Sequence, residues 1–171
     1  MRPTSLVLVT ALALGAACSS GARPDDPAAN STTMTSTQTA NQPAAKAAKV
    51  YLTTPSGERA VEVEVVATPP KIERGLMYRQ HMDADAGMLF LMGHEQVWTF
   101  WMHNTLIPLD MIFITKELTV AGVVDRAEPQ TDILRKVNAP STYVLEVNGG
   151  YCASHGVIAG ARVRFENVPG L

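Results

Sequence analysis

Val61-Glu62-Val63-Glu64-Val65 alternates apolar and acidic side chains, the period-two pattern of a strand with one buried and one wet face. The same alternation returns near the end of the chain, where Val163 and Phe165 interleave with Arg162, Arg164 and Glu166. Between these lie continuous apolar runs of strand length, Met88 to Met92 and Met111 to Ile114, which read as strands buried on both faces. Leu118 to Val124 and Tyr143 to Val147 add two more. Pro70 suits the first turn of a short helix with Ile72 and Leu76 on one face, ending near Arg79. A second short helix is expected from about Gly150 to His155, with Gly156 available for a left-handed final residue. Six or more short strands with one or two short helices predict a mainly β fold, a single compact β-sandwich or barrel-like domain. Arg126 to Ser141 has no clear periodicity and contains Pro129 and Pro140, so it reads as a loop of about sixteen residues, a length that is uncommon unless the loop is functional or mobile.

The β-rich domain is expected to occupy residues 50–171, because what precedes it has a different composition. After Met1 and Arg2, the stretch from Ser5 to Ala17 is apolar or small and uncharged, the length of a signal-peptide core and too short to span a bilayer. Residues 1–17 therefore read as a signal peptide. Leu14-Gly15-Ala16-Ala17-Cys18 resembles a bacterial lipobox, with Leu one position further from the cysteine than usual. Lipidation of Cys18 would anchor the chain through acyl chains, each buried methylene contributing about 0.8 kcal/mol. Ser19 to Lys49 holds no aromatic residue and no Val, Ile or Leu, so residues 18–49 combine the lipidation site with a disordered tether.

The chain has 171 residues and a formal net charge of −2 without a basic stretch, which argues against a nucleic-acid partner. Cys18 and Cys152 are its two cysteines. A lipidated Cys18 leaves Cys152 without an intrachain partner, and it reads as buried filler. The four histidines lack the spacing of a zinc site and the methionines sit largely in apolar strand segments; no metal and no cofactor is expected.

Glu73-Arg74-Gly75-Leu76-Met77-Tyr78-Arg79, then Gly87-Met88-Leu89-Phe90, then Phe100-Trp101-Met102-His103-Asn104-Thr105-Leu106-Ile107-Pro108-Leu109-Asp110-Met111-Ile112-Phe113 together resemble the signature of the bacterial and archaeal family known as domain of unknown function 192. The resemblance continues through Tyr143-Val144-Leu145-Glu146-Val147-Asn148-Gly149-Gly150 and Gly156-Val157. It implies a small β-rich domain, often behind a signal peptide, with no activity established for the family. Two positions depart from the family's pattern: His103 stands where Lys is usual, and Ala161 follows Gly160 where Asp is usual. The first swap replaces a permanent cation with one that titrates near neutrality.

Candidate ligand-binding residues are Arg79, Trp101, His103, Asn104, Thr105 and Asp110. His103 to Asp110 lies between two apolar segments and follows Trp98, Phe100 and Trp101; polar groups gathered beside aromatics can orient a small ligand. The competing reading is scaffold, with Asn104 and Thr105 bonding local backbone and Arg79 pairing with Asp110. No nucleophile elbow is present, and carboxylate pairs cannot be picked from Glu58, Glu62, Glu64, Asp110, Asp125, Glu128 and Glu146 without geometry. The leading expectation is an exported, lipid-anchored envelope protein, non-catalytic, whose partners are the membrane through Cys18 and a glycan, a small polar ligand or an envelope protein. An envelope enzyme acting on carbohydrate or peptidoglycan fragments, with His103 and Asp110 as acid/base pair, is the alternative. A structural assembly factor is the third.

Overall fold

The computed structural model describes residues 46–171. The expected signal peptide at 1–17, the expected lipidation site Cys18 and the expected tether up to residue 45 lie outside the described residues.

Strand β1 (Lys49–Thr54) begins one residue before Val50 and turns through Pro55 and Ser56 into β2 (Gly57–Val66). Thr54 closes that turn: its hydroxyl donates to the Gly57 carbonyl at 2.7 Å and accepts the Ser56 N–H. The chain then crosses over through helix α1 (Pro69–Arg74) to β3 (Ala86–Gln96), which runs parallel to β2. β4 (Leu109–Ile114) and β5 (Val120–Ala127) form an antiparallel pair, β6 (Ser141–Asn148) returns between β3 and β4, and helix α2 (Tyr151–His155) and strand β7 (Val163–Glu166) follow. The strands form one sheet in the order β5-β4-β6-β3-β2-β1-β7. It curls into a half-barrel, and its two edges are tied where Thr119 bridges Arg162 and the Val120 N–H donates to the Ala161 carbonyl at 2.9 Å. The mainly β, barrel-like expectation is met in this form.

Helix α1 is shorter than its sequence suggests. It ends at Gly75, whose φ of 44° leaves the helix and whose missing Cβ makes room for the Phe90 ring, 3.3 Å from where a Cβ would sit. Tyr78 and Arg79 therefore follow the helix instead of extending it. The long loop is thirteen residues, 128–140, since Arg126 and Ala127 complete β5 and Ser141 begins β6. It is stapled to the segment before β4, where Phe100 and Arg135 exchange backbone bonds of 2.8 and 2.7 Å.

Strand register divides the side chains into two layers. Leu89, Leu145 and Ile112 form one cross-strand row, joined by Val50, Val61, Val147 and Val163 in a core to which every strand contributes. The flanking rows point the other way: Phe90, Val144 and Phe113 in one, Met88, Glu146 and Met111 in the other. This second layer is covered by Leu76, Met82 and Met102 from the segments around α1 and before β4. Each fully buried side chain of that size contributes about 1.5–3 kcal/mol. A carboxylate thus stands in the middle of an apolar layer.

Candidate functional site

Over Glu146 the covering layer leaves a cavity of about 230 Å³. Its floor is Phe90 and Met92 of β3 with Glu146 of β6; Ile72, Leu76 and Met77 form one wall, and Trp98, Phe100 and Trp101 the other. The aromatic wall is held from behind. The Trp98 indole N–H donates to the Ser141 carbonyl at 3.0 Å, and Phe100 stands edge-on to both Phe90 and Phe113. The Met102 N–H donates to the Thr131 carbonyl at 3.0 Å, tying the same segment to the long loop.

Glu146 is 4 % exposed. Among the described residues no donor or cation reaches its carboxyl, and burial alone pushes its pKa from 4.5 up to about 8. At neutral pH it is mostly a neutral acid. Glu73 of α1 lines the same cavity, whereas no Lys, Arg or His does. A broader hollow of about 700 Å³ along Ala48, Glu62 and Asp85 carries no aromatic and no buried ionisable side chain, so the chemistry concentrates at Glu146.

Of the residues singled out from sequence, Trp101, His103, Asn104 and Thr105 are gathered at this site. Trp101 and Thr105 line the cavity, and Trp101, His103 and Asn104 line an adjoining open hollow with Glu73 and Tyr78. The Trp101 and His103 rings stack with centroids 5.1 Å apart, and His103 Nδ1 lies 2.7 Å from the Asp132 carboxylate. Asn104 and Tyr78 both adopt positive φ, 51° and 64°, and hold each other: the Tyr78 N–H donates to the Asn104 carbonyl and the Asn104 amide donates to the Tyr78 hydroxyl, each at 2.8 Å. Left-handed backbone at a non-glycine residue is strained, and such strain clusters at functional sites. Thr105 is buried, its hydroxyl donating to the His103 carbonyl at 3.3 Å.

Arg79 and Asp110 belong elsewhere, and not to each other. Arg79 pairs with Glu64 at 2.6 Å on the surface, because α1 ends before it and β2 runs beside it. Asp110 alternates with Met111 along β4, so it points to the face of Ile112 and Ile114, away from His103. It is fully buried there: Oδ1 accepts the N–H groups of Arg126 and Gly150, both at 2.8 Å, and Oδ2 accepts that of Cys152 at 2.7 Å. These bonds seat the start of α2. A His103/Asp110 acid/base pair is therefore ruled out by strand parity, and the carboxylate beside His103 is Asp132.

Among the described residues Cys152 is free; it is buried, and its thiol is pushed upward first by burial and then by the Asp110 carboxylate. Sequence reasoning named Glu146 only as one carboxylate of many. Its signal was a single charge inside Val144-Leu145-Glu146-Val147, a strand read as buried.

The profile of the DUF192 family, described as an uncharacterized ACR, matches residues 51–165. A crystal structure from Sinorhizobium meliloti 1021, described as a candidate transcription regulator, is 35% identical, with a TM-score of 0.68 over 75% of this chain and 100% of that one. A protein of unknown function from Novosphingobium aromaticivorans DSM 12444 is 34% identical, with a TM-score of 0.66 over 68% of this chain and 83% of the other. No curated protein matches.

Proposed function

The chain belongs to the DUF192 family, and from that footing we propose that it is an exported, lipid-anchored envelope protein whose β-domain is a non-catalytic binding module. The small ligand enters the cavity over Glu146. The observation that carries this reading is an aromatic-walled cavity ending on a buried, unpartnered carboxyl, since ligand sites are mostly apolar with a few placed polar groups. Export and anchorage rest on the uncharged run from Ser5 to Ala17 ending at Cys18. Labelled palmitate should enter the wild-type protein and be absent from Cys18→Ser.

Both tryptophans of the chain line the cavity, so intrinsic fluorescence reports on it directly. A panel of envelope glycan fragments, small polar metabolites and ring compounds is expected to contain members that shift the emission of wild type and lose that effect in Trp101→Ala. Identical responses from wild type, Trp101→Ala and Glu146→Ala across the panel would remove the cavity from the proposal.

One observation favours a second reading, that of an envelope enzyme. A carboxyl held neutral near pH 7 in an apolar pocket is the form a general acid takes. Turnover of peptidoglycan fragments that disappears in Glu146→Gln would select it.

A further inference from the structure

The chemistry of the cavity narrows the ligand, given that the cavity is the binding site. Its ionisable lining consists of Glu146 and Glu73, both acidic, with no basic side chain. Four aromatic rings surround that acidic floor, those of Phe90, Trp98, Phe100 and Trp101. Aromatic faces carry negative charge density and attract cations, most strongly where water is excluded. A buried carboxyl with no partner has the same preference. We infer that the cavity over Glu146 binds an organic cation whose charge sits on an alkylated ammonium head, with the head among the aromatic rings and against the Glu146 carboxylate.

An alkylated head suits this lining better than a bare ammonium. A bare –NH₃⁺ brings three N–H donors that all need acceptors once out of water. Besides the rings and the two carboxyls the lining is mostly Ile72, Leu76, Met77 and Met92, which offer thioethers and methyl groups, together with Thr99 and Thr105, the Thr105 hydroxyl already donating to the His103 carbonyl. A head that presents methyl groups has no unmet hydrogen bonds in such surroundings.

Anions are disfavoured by the same lining, because nothing in the cavity balances their charge. Arg74 and His103 line the adjoining open hollow and not the cavity, and His103 is already bonded to Asp132. A neutral ligand would fit the walls and leave Glu146 protonated. The cation differs in one measurable way: it demands the ionised carboxylate. The groups facing Glu146 are few, with Met88 of β3 and Met111 of β4 beside it, Glu73 of α1 across the cavity, and uncharged Trp98 to Trp101 and Thr105 from the covering segment. Binding should thus displace the proton that burial retains.

Choline and its uncharged isostere 3,3-dimethylbutan-1-ol separate the cases, followed by tryptophan fluorescence and by calorimetry on the purified protein between pH 6 and pH 9. Choline is expected to bind more tightly than the alcohol, with affinity rising close to tenfold per pH unit below about pH 8 and levelling above it. Calorimetry at pH 7 in buffers of different ionisation enthalpy should register nearly one proton released per choline bound. Glu146→Gln should weaken choline and flatten its pH dependence while leaving the alcohol unaffected. Equal or tighter binding of the alcohol would overturn the cation and leave the cavity as a neutral-ligand site. No response to either compound would overturn the cation too, and the wider ligand panel then decides the cavity separately.

Discussion

Replacing Glu146 by Gln tests the central claim about this molecule before any ligand is known. In the folded protein the carboxyl titrates near 8, against 4.5 for an unburied one, so between those values the folded state holds a proton that the unfolded chain has released. Folding then takes up a proton, and stability falls as the pH rises. Below about pH 4.5 both states are protonated and nothing is lost. From there the loss grows by about 1.4 kcal/mol per pH unit and reaches roughly 3 kcal/mol at pH 7, levelling off above the folded value near 8. Gln keeps the shape and has no such titration. Thermal melts followed by circular dichroism should therefore show the two proteins melting within a few degrees of each other at pH 4.5. At pH 7 the variant should melt higher by roughly 10 °C, at about 3–5 °C per kcal/mol for a domain of this size. A difference in Tm that stays constant from pH 4.5 to pH 8.5 would refute the reasoning, because Glu146 would then titrate alike in both states.

Asp110→Ala leaves the N–H groups of Arg126, Gly150 and Cys152 without their acceptor; denaturant unfolding should show a loss of about 3–5 kcal/mol. Arg79→Ala removes an exposed pair with Glu64 and should cost under about 1 kcal/mol, with the tryptophan emission unchanged. That contrast separates the two residues that sequence reading had joined. Gly87→Ala would set a Cβ 2.6 Å from the Glu146 carbonyl oxygen, forcing β3 and β6 apart. A loss of about 1–3 kcal/mol is expected from chemical denaturation.

Most strands were legible because a curled sheet imposes period two on its half-buried members and unbroken apolar runs on its central ones. β2 and β7 show the first, β3 and β4 the second, and β6 a shorter apolar run broken by Glu146. β1 escaped notice: Lys49-Val50-Tyr51-Leu52-Thr53-Thr54 buries Val50, Leu52 and Thr54, but two threonines and the adjoining polar linker blur the alternation. The covering segment stood out through its aromatics and polar cluster, and Trp101, His103, Asn104 and Thr105 line the cavity or the hollow beside it. Its partners were not legible. Asp132 reaches His103 from a loop 29 residues away, and Glu146 reaches the cavity floor from a strand whose register alone decides which face it takes. Asp110 takes the opposite face from Glu146 by the same parity. Parity along β4 sets it opposite Met111, on the side that α2 closes.

Glu146 also marks where the demands of the fold and of the proposed site part company. Its row neighbours Met88 and Met111 are both buried and apolar, and a third thioether or a leucine there would continue the layer without a titration penalty. Domains hold only about 5–15 kcal/mol in total, so a side chain costing roughly 3 kcal/mol at pH 7 is a large local debit. A ligand that favours the ionised carboxylate recovers part of it, and recovers more as the pH rises. Choline at a fixed concentration should therefore raise the Tm of wild type more at pH 8 than at pH 6, since stabilisation follows RT ln(1 + [L]/Kd) and the apparent Kd falls over that interval. The alcohol isostere should do the opposite or nothing, because it favours the protonated acid. A choline shift independent of pH would mean that the cation meets the rings and not Glu146, and the carboxyl would then need another explanation.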